Sequence, residues 1–297
     1  LPEPSEESME LLRRIFIYRN ESELLGSESA AGKAYSQIVT DIPISQGQER
    51  VLHHLTELFP YEAHFWAHLA RYHANELRDY DGAIEMADRA LWLEPNDHVL
   101  HHMKGMVCRS QAYEQIRQSL PLDTILKKAK LASSAFTEAR ENNFDDEHAF
   151  ISEAQLIIAV IDYAGKVARK DPVSAVADLS DPWIKEGFQA VEDLLMQVRQ
   201  KRRDRADSQF EQRCQARLNV LYGKHENALQ IWDNLLIKER CAYAPPIRRQ
   251  IVWTLLARRE RDWDKMWPKE VERCVELLEN NIKDDPSDER NIRLWIQ

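Results

Sequence analysis

Residues 64–95 read HFWAHLARYHANELRDYDGAIEMADRALWLEP, and their spacing predicts two antiparallel helices. The first helix carries an apolar stripe, and the second carries small residues where two helix backbones must approach closely. The stripe comprises Trp66, Leu69 and Ala70, and the small residues are Ala83, Ala87 and Ala90. A polar turn at Asp79 and Tyr80 separates the two helices. Pro95 ends the second helix, because proline cannot supply the next helical N–H.

This pattern resembles the tetratricopeptide repeat (TPR), a helix–turn–helix unit of about 34 residues. One unit cannot bury its own apolar face, so several units must stack. The same spacing returns near the end of the sequence, with a longer turn between the two helices. Its positions are Trp253, Leu256, Ala257, Cys274, Leu278, Asn281 and Pro286. The resemblance implies an all-α, superhelical array of degenerate TPR-like repeats.

The composition agrees with an all-α fold. Among 297 residues there are 8 glycines and 12 prolines, and 43% of the residues are hydrophobic, which favours long helices with few tight turns. The best strand candidate, residues 15–18 (IFIY), lies inside a helical charge pattern. The net charge of −10 argues against a surface devoted to nucleic-acid phosphates.

The cysteines and the hydropathy predict a cytoplasmic protein without a membrane segment. The four cysteines are far apart in sequence and form no CxxC pair, so we expect buried thiols in a reducing compartment. The sequence contains no run of 18 apolar residues. It begins with Leu1 and ends with the apolar residues Trp295 and Ile296, which suggests a piece of a longer polypeptide.

We predict four segments along the chain: a helical lead-in (1–59), TPR-like repeats (60–165), an irregular connector (166–208) and further TPR-like repeats that continue beyond the end (209–297). The lead-in is expected to form three helices, near residues 6–19, 29–40 and 46–58. In the second repeat, Gly105 and Phe136 occupy the packing positions, and residues 110–123 are expected to form a lengthened turn. Gly165 is expected to cap the next helix at its C-terminus. Asp171-Pro172 and Asp181-Pro182 each predict the start of a short helix.

Residues 59–109 show a narrower resemblance. Their sequence includes HLAR, a DYDGA turn and LHHMKG. It resembles the helical-repeat region after the nucleotide-binding domain in sterile-alpha-motif-domain-containing antiviral factors of animals, and the C-terminal arrays of bacterial STAND NTPases in phage defence. The resemblance implies a non-catalytic, ligand-sensing and protein-interaction segment of a larger NTPase. Its partners would be a protein or peptide ligand, virus-derived in the defence setting, and the rest of its own polypeptide.

No catalytic or cofactor-binding constellation is predicted. Residues 26–34 (GSESAAGKA) resemble a phosphate-binding loop, but five residues separate the glycines and Ala34 replaces the required hydroxyl residue. His64 and His68 stand four residues apart on one helix and could share a metal ion. No acidic residue or cysteine stands at a matching spacing, so the sequence predicts no metal site and no cofactor.

Arginines recur near the ends of the first helices, at positions that usually face the concave groove of such arrays. A row of guanidinium groups suits the capture of carboxylates or phosphates. The alternative is that these arginines pair with acidic residues of neighbouring repeats. The predicted partner-binding residues are His64, Arg71, His102, Arg109, Arg213, Arg217, Arg258 and Arg261.

Two other functions stay open at this stage. The chain could be a peptide-binding adaptor like the repeat co-chaperones that clamp acidic C-terminal tails. Ala67 and His102 stand where that clamp requires lysine and asparagine, which disfavours the chaperone version. It could also bind RNA through helical repeats, although the acidic charge and the irregular repeat lengths disfavour nucleic acid as a partner.

Overall fold

A computed structural model of the chain describes residues 47–144, 147–201, 209–238, 244–286, 288 and 290–291. All regular elements within these residues are helical. The third predicted lead-in helix is confirmed as α1, Gln48–Leu58. The other lead-in helices at 6–19 and 29–40, the strand candidate at 15–18 and the loop at 26–34 lie outside the described residues, as does Cys241.

The chain divides into two compact units, Leu1–Glu153 and Ala154–Gln297, which we call unit 1 and unit 2. The division falls inside one helix, α6. It differs from the four predicted segments, which stay a prediction. The helices up to that point are α1, α2 (Ala63–Tyr72), α3 (Tyr80–Leu93), α4 (His98–Arg117), α5 (Leu122–Asn142) and α6 (His148–Ala168).

The first repeat, α2 and α3, packs as its sequence predicts. Ala83, Ala87 and Ala90 are buried along one face of α3, because small side chains let α2 and α3 come close together. Asp79 caps the start of α3 and accepts a hydrogen bond from the Gly82 backbone N–H at 3.2 Å. One π-helical turn, His73–Leu77, extends α2.

The second repeat, α4 and α5, is held together at Gly105 and Phe136. A Cβ atom on Gly105 would stand 2.5 Å from the Phe136 ring, so only glycine allows this approach. The expected lengthened turn at 110–123 is wrong. The helix α4 continues to Arg117, and α5 begins at Leu122, so the extra residues lengthen the helices rather than the turn.

The next first helix, α6, also runs further than expected. It continues through Gly165 to Ala168, so Gly165 is not its C-terminal cap. The left-handed residue after α6 is Arg169, with φ of 52°. Gly165 instead faces Pro172, whose Cα would lie 3.2 Å from an added Cβ.

Unit 2 continues after α6 with three helices in the predicted connector. Asp171 and Asp181 cap the first two, and each is followed by proline in the first turn, as predicted. Two further helix pairs follow, and in the second pair a 3₁₀ turn, Trp263–Lys265, fills the long connection. These helices are α7 (Pro172–Ala177), α8 (Pro182–Lys185), α9 (Gly187–Lys201), α10 (Gln209–Leu221), α11 (His225–Lys238), α12 (Ala244–Arg258) and α13 (Pro268–Asp284).

One apolar core joins the last two helix pairs. Trp232 belongs to this core and is 1% exposed. Ile251 and Val252 of α12 and Cys274 and Leu278 of α13 belong to the same cluster. The all-α class and the stacked helix–turn–helix architecture predicted from the sequence are therefore confirmed. Within the described residues, none of the helices combines the length and apolar character that crossing a membrane requires.

Candidate functional site

A cavity of about 450 Å³ lies in unit 2 between three first helices, α6, α10 and α12. First helices are the elements that line the inner groove of a TPR-like array, so the cavity has the position expected of a binding site. Its wall is formed by Ile158, Asp162, Lys166, Arg217, Val220, Leu221, Gln250, Trp253, Thr254, Ala257 and Arg261.

Cations outnumber anions on this wall. The described wall residues include three basic side chains, Lys166, Arg217 and Arg261. They include one acidic side chain, Asp162. Asp162 accepts hydrogen bonds from Lys166 Nζ at 2.5 Å and from Arg261 Nη2 at 3.2 Å. Arg217 makes no ion pair or hydrogen bond with any residue that the structure describes. The cavity therefore offers a surplus of positive charge to a ligand.

Trp253 adds a large apolar surface to the same wall. Its side chain lies on α12 one turn before Ala257 and is 44% exposed, which is unusual for tryptophan. The corresponding residue of the first repeat, Trp66, is partly buried and donates its indole N–H to the Pro60 carbonyl at 3.0 Å. Trp66 and Trp253 occupy the same position of the repeat pattern, but the Trp253 side chain is the more accessible to a ligand.

A second cavity of about 910 Å³ adjoins the first, and both are lined by Asp162, Lys166, Val220, Leu221, Ala257 and Arg261. Lys170 and His225 add nitrogen atoms to the second cavity. Burial, followed by the nearby Arg258, lowers the pKa of His225 below its usual value, which favours the neutral ring. Together the two cavities form a continuous groove along unit 2, which we call the unit 2 groove.

The structure brings Arg217 and Arg261 together in this groove but separates Arg258 from them. Arg258 follows Ala257 on α12, and consecutive helical residues point about 100° apart. Its guanidinium lies 2.6 Å from Glu226 and 3.5 Å from Glu270, and it stands 5.7 Å from the centre of the Trp267 ring. These contacts match the alternative interpretation, in which an arginine pairs with acidic residues of neighbouring helices.

In unit 1, His102 and Arg109 meet at Ser152. His102 Nε2 lies 3.1 Å from Ser152 Oγ, and Arg109 Nη1 donates to the Ser152 carbonyl at 3.5 Å. Arg109 also lies 5.5 Å from the Tyr113 ring. Both residues are partly buried between α4 and the first turns of α6. Their contacts with Ser152 and Tyr113 therefore hold parts of unit 1 together.

Arg71 and Arg213 lie elsewhere. Arg71 is exposed in the last turn of α2, in unit 1. Arg213 lies in unit 2, with its guanidinium 5.5 Å from the Phe210 ring. Whether Arg71 and Arg213 contact a partner stays a prediction.

His64 is buried, and its Nε2 lies 3.5 Å from the Asp97 carboxylate. No acidic residue stands at a ligand spacing from His64 on its own helix, so the metal-binding potential of His64 is not visible in the local sequence. The fold brings Glu94 and Asp97 to His64 from the turn after α3. His68 stays neutral at pH 7, because burial, followed by the influence of His64 and Arg71, lowers its pKa to about 4.

Sequence reasoning missed Asp162, Lys166 and Trp253 as site residues. Trp253 was assigned only a packing role from the repeat pattern. The available signal was the spacing of Gln250, Trp253 and Ala257, which places a polar, an aromatic and a small residue on one helical face.

No family model matches the sequence, and no curated protein matches it. Among solved structures, the thermophilic TPR protein TTC0263 of Thermus thermophilus aligns with a TM-score of 0.53 and 12% identity, over 78% of this chain and 96% of its own. Yeast Tom70 aligns over 99% of this chain and 59% of its own, at 12% identity and a TM-score of 0.46. The assembly chaperone of RpL4 (Acl4) aligns over 96% and 94%, at 13% identity and a TM-score of 0.45. The match to the thermophilic protein, with its TM-score of 0.53 and 12% identity, shows that this chain has a TPR-like fold and shows nothing more.

Proposed function

We propose that this chain is a non-catalytic protein-interaction module that binds an acidic segment of a partner protein in the unit 2 groove. The observation that carries the proposal is the combination of surplus positive charge with an exposed tryptophan between three first helices. Extended peptide segments bind grooves of this kind through a few charged contacts and an apolar anchor.

Arg217 is the residue that we expect to recognise an acidic side chain. Because it makes no ion pair with the described residues, a ligand carboxylate can bind it without displacing an internal partner. A guanidinium can donate two parallel hydrogen bonds to one carboxylate, which favours aspartate or glutamate over a neutral side chain.

Lys166 and Arg261 are available to a ligand at small cost. Their common partner Asp162 is 28% exposed, and their own side chains are about half exposed. Ion pairs exposed to this degree contribute about 0–1 kcal/mol. A ligand carboxylate can therefore replace Asp162 at either cation with little loss of protein stability.

Trp253 supplies the apolar part of the interaction. Tryptophan and arginine are the residues most enriched at the energetic centres of interfaces. An apolar side chain of the ligand would cover the exposed indole while neighbouring acidic residues reach Arg217. This arrangement favours a peptide over RNA. A short acidic peptide needs only the groove, whereas the phosphates of an RNA would extend over a protein surface whose net charge is −10.

Selection of random-sequence peptides on the purified chain, followed by calorimetric titration of the selected peptides, tests this function. We expect enrichment of peptides that carry aspartate or glutamate beside an apolar residue. Arg217→Glu should weaken their binding at least about tenfold, the effect of a loss of about 1.4 kcal/mol.

Lys283→Glu is the matched control, because Lys283 is an exposed cation of α13 outside the groove. Its peptide affinity should equal that of the wild type. An equal loss of affinity in both variants would contradict the groove assignment, and so would selection of peptides without acidic residues.

The resemblance of residues 59–109 supports a more specific proposal, that this module is the sensing segment of a cytoplasmic STAND NTPase in antiviral defence. Its ligand would then be a trigger protein, virus-derived, or another part of the same polypeptide. The free and buried thiols of Cys108, Cys214 and Cys274 agree with a reducing compartment. An NTPase response of the full-length protein that is unchanged by Arg217→Glu together with Arg71→Glu would contradict this role.

A further inference from the structure

We infer that His64, Glu94 and Asp97 in unit 1 form a binding site for a divalent transition-metal ion. This site is independent of the unit 2 groove. One nitrogen or oxygen atom from each residue lies within 4.8 Å of the others. The three residues come from the first turn of α2 and from the turn between α3 and α4, so a bound ion would join these two parts of the repeat.

His64 is held in a position suited to a metal ligand. It is 6% exposed, and Asp97, the residue paired with its ring, is itself one of the three proposed ligands. A metal ion between the imidazole nitrogen and the carboxylate would bind both groups at once. His64 Nε2 lies 3.5 Å from Asp97 Oδ2, close to the separation of about 3.4 Å between two ligands of one tetrahedral zinc ion.

The Asp97 carboxylate is oriented by the helix that follows it. Its Oδ1 accepts hydrogen bonds from the backbone N–H groups of Val99 at 2.7 Å and Leu100 at 3.3 Å. These bonds leave Oδ2 directed at His64, and a ligating oxygen that is fixed in this way loses little entropy on binding.

Glu94 completes the site from the solvent side. The Asp97 backbone N–H donates to the Glu94 carbonyl at 3.3 Å, which closes a tight turn and holds the two acidic residues together. Glu94 is exposed, so an ion can enter from solvent and keep a water molecule as a fourth ligand.

The donor set indicates which ions are bound. One imidazole and two carboxylates suit Zn²⁺ and its first-row neighbours, whereas Ca²⁺ and Mg²⁺ prefer oxygen ligands alone. The ion would fasten the start of α2 to the start of α4, and its expected effect is to stabilise the first repeat.

The test is equilibrium dialysis of the full chain against Zn²⁺, combined with thermal unfolding with and without the ion. We expect one equivalent of Zn²⁺ to bind, and the melting temperature to rise by about 5 °C when the ion is about 100 times above its dissociation constant. Co²⁺ in place of Zn²⁺ should show the visible absorption of a four-coordinate site.

Glu94→Gln is the decisive variant, because it removes a ligand from an exposed position and should leave the metal-free melting temperature unchanged. It should weaken Zn²⁺ binding at least tenfold and abolish the Co²⁺ absorption. Glu85→Gln, at an exposed position of α3, is the matched control and should bind Zn²⁺ like the wild type. Absence of bound Zn²⁺ in the wild type overturns the inference, and so does a Zn²⁺-induced stabilisation that is equal in Glu94→Gln and the wild type.

Discussion

The carboxylate of Asp162 lies 3.2 Å from the guanidinium of Arg261, although 99 residues of chain separate them. Lys166 reaches the same carboxylate from the following turn of α6. Asp162 therefore sits between two cations in the wall of the unit 2 groove. Of the described residues that line the smaller cavity, Asp162 alone is acidic. Its charge therefore offsets part of the positive charge that Lys166, Arg217 and Arg261 bring to that cavity.

Asp162→Asn should strengthen the binding of an acidic peptide. The change removes one negative charge and releases Lys166 and Arg261 for the ligand. A favourable unit-charge interaction near water is worth about 1 kcal/mol at about 4 Å, so we expect roughly a fivefold gain in affinity at low salt. Calorimetric titration at two salt concentrations measures the gain, which should shrink as salt increases.

Asp233→Asn is the control for this substitution, because Asp233 pairs with Arg273 outside the groove. It should leave peptide affinity unchanged. Both variants should lose less than about 1 kcal/mol of unfolding free energy, since the side chains of the ion pairs that they remove are partly exposed to solvent. A gain in affinity that is equal in the two variants would mean that net charge, rather than the groove, determines binding.

Two tryptophans of unit 2 should separate binding from stability. Trp253 is 44% exposed on the groove wall, whereas Trp232 is 1% exposed in the core. Trp253→Ala should weaken peptide binding by about 2 kcal/mol and cost less unfolding free energy than Trp232→Ala, because nearly half of the Trp253 side chain already faces solvent. Trp232→Ala should cost about 3–5 kcal/mol of stability. Urea unfolding and peptide titration of both variants measure the two effects, and a large stability loss in Trp253→Ala would contradict its role as a surface anchor.

The fold was predictable because the repeat pattern is local. Trp66, Ala83 and Pro95 lie within one helix–turn–helix unit, and each position has a packing reason that the sequence displays. The ends of α4 and α6 were not predictable, because no glycine marks them: the left-handed residues that follow these helices are Ser119 and Arg169. Gly165 illustrates this point, since it serves a close contact with Pro172 rather than a helix end.

The site was less predictable because its residues come from helices that are far apart in sequence. Arg258 and Arg261 were both predicted to face the groove, yet they line different cavities. Glu260 and Arg261 have φ values of 56° and 63°, which turn the chain sharply after α12. Non-glycine residues rarely adopt this conformation, so nothing in the sequence signalled the turn that brings Arg261 to Asp162.

Gly105→Ala should destabilise unit 1. The new Cβ would stand 2.5 Å from the Phe136 ring, so α4 and α5 must separate or the ring must move. Overpacking of this kind costs about 1–3 kcal/mol of unfolding free energy, which urea unfolding measures. Phe136→Leu in the same chain should recover part of the loss, because it removes the ring that the methyl group meets. Purely additive effects of the two substitutions would contradict the contact.

Glu270 should make stability depend on pH. Its carboxylate accepts two hydrogen bonds from the Arg259 guanidinium, at 2.9 and 3.1 Å, and one from the Trp267 backbone N–H at 2.9 Å. The bond from Arg259 is the largest cause that lowers the pKa of Glu270 below its ordinary value of 4.5. A lowered pKa in the folded state means that the charged carboxylate stabilises the protein above pH 4.5, and that this contribution is lost as the pH falls below that value.

Glu270→Gln should therefore lower the unfolding free energy by about 1–3 kcal/mol at neutral pH, because it weakens a buried charged hydrogen bond. The difference between wild type and variant should shrink as the pH is lowered from about 7 to about 3, since the wild-type carboxylate becomes protonated. Urea unfolding across this range measures it. Glu272→Gln, at an exposed neighbouring position, should match the wild type throughout. A difference that stays constant with pH would mean that Glu270 stabilises the start of α13 through packing and neutral hydrogen bonds rather than through its charge.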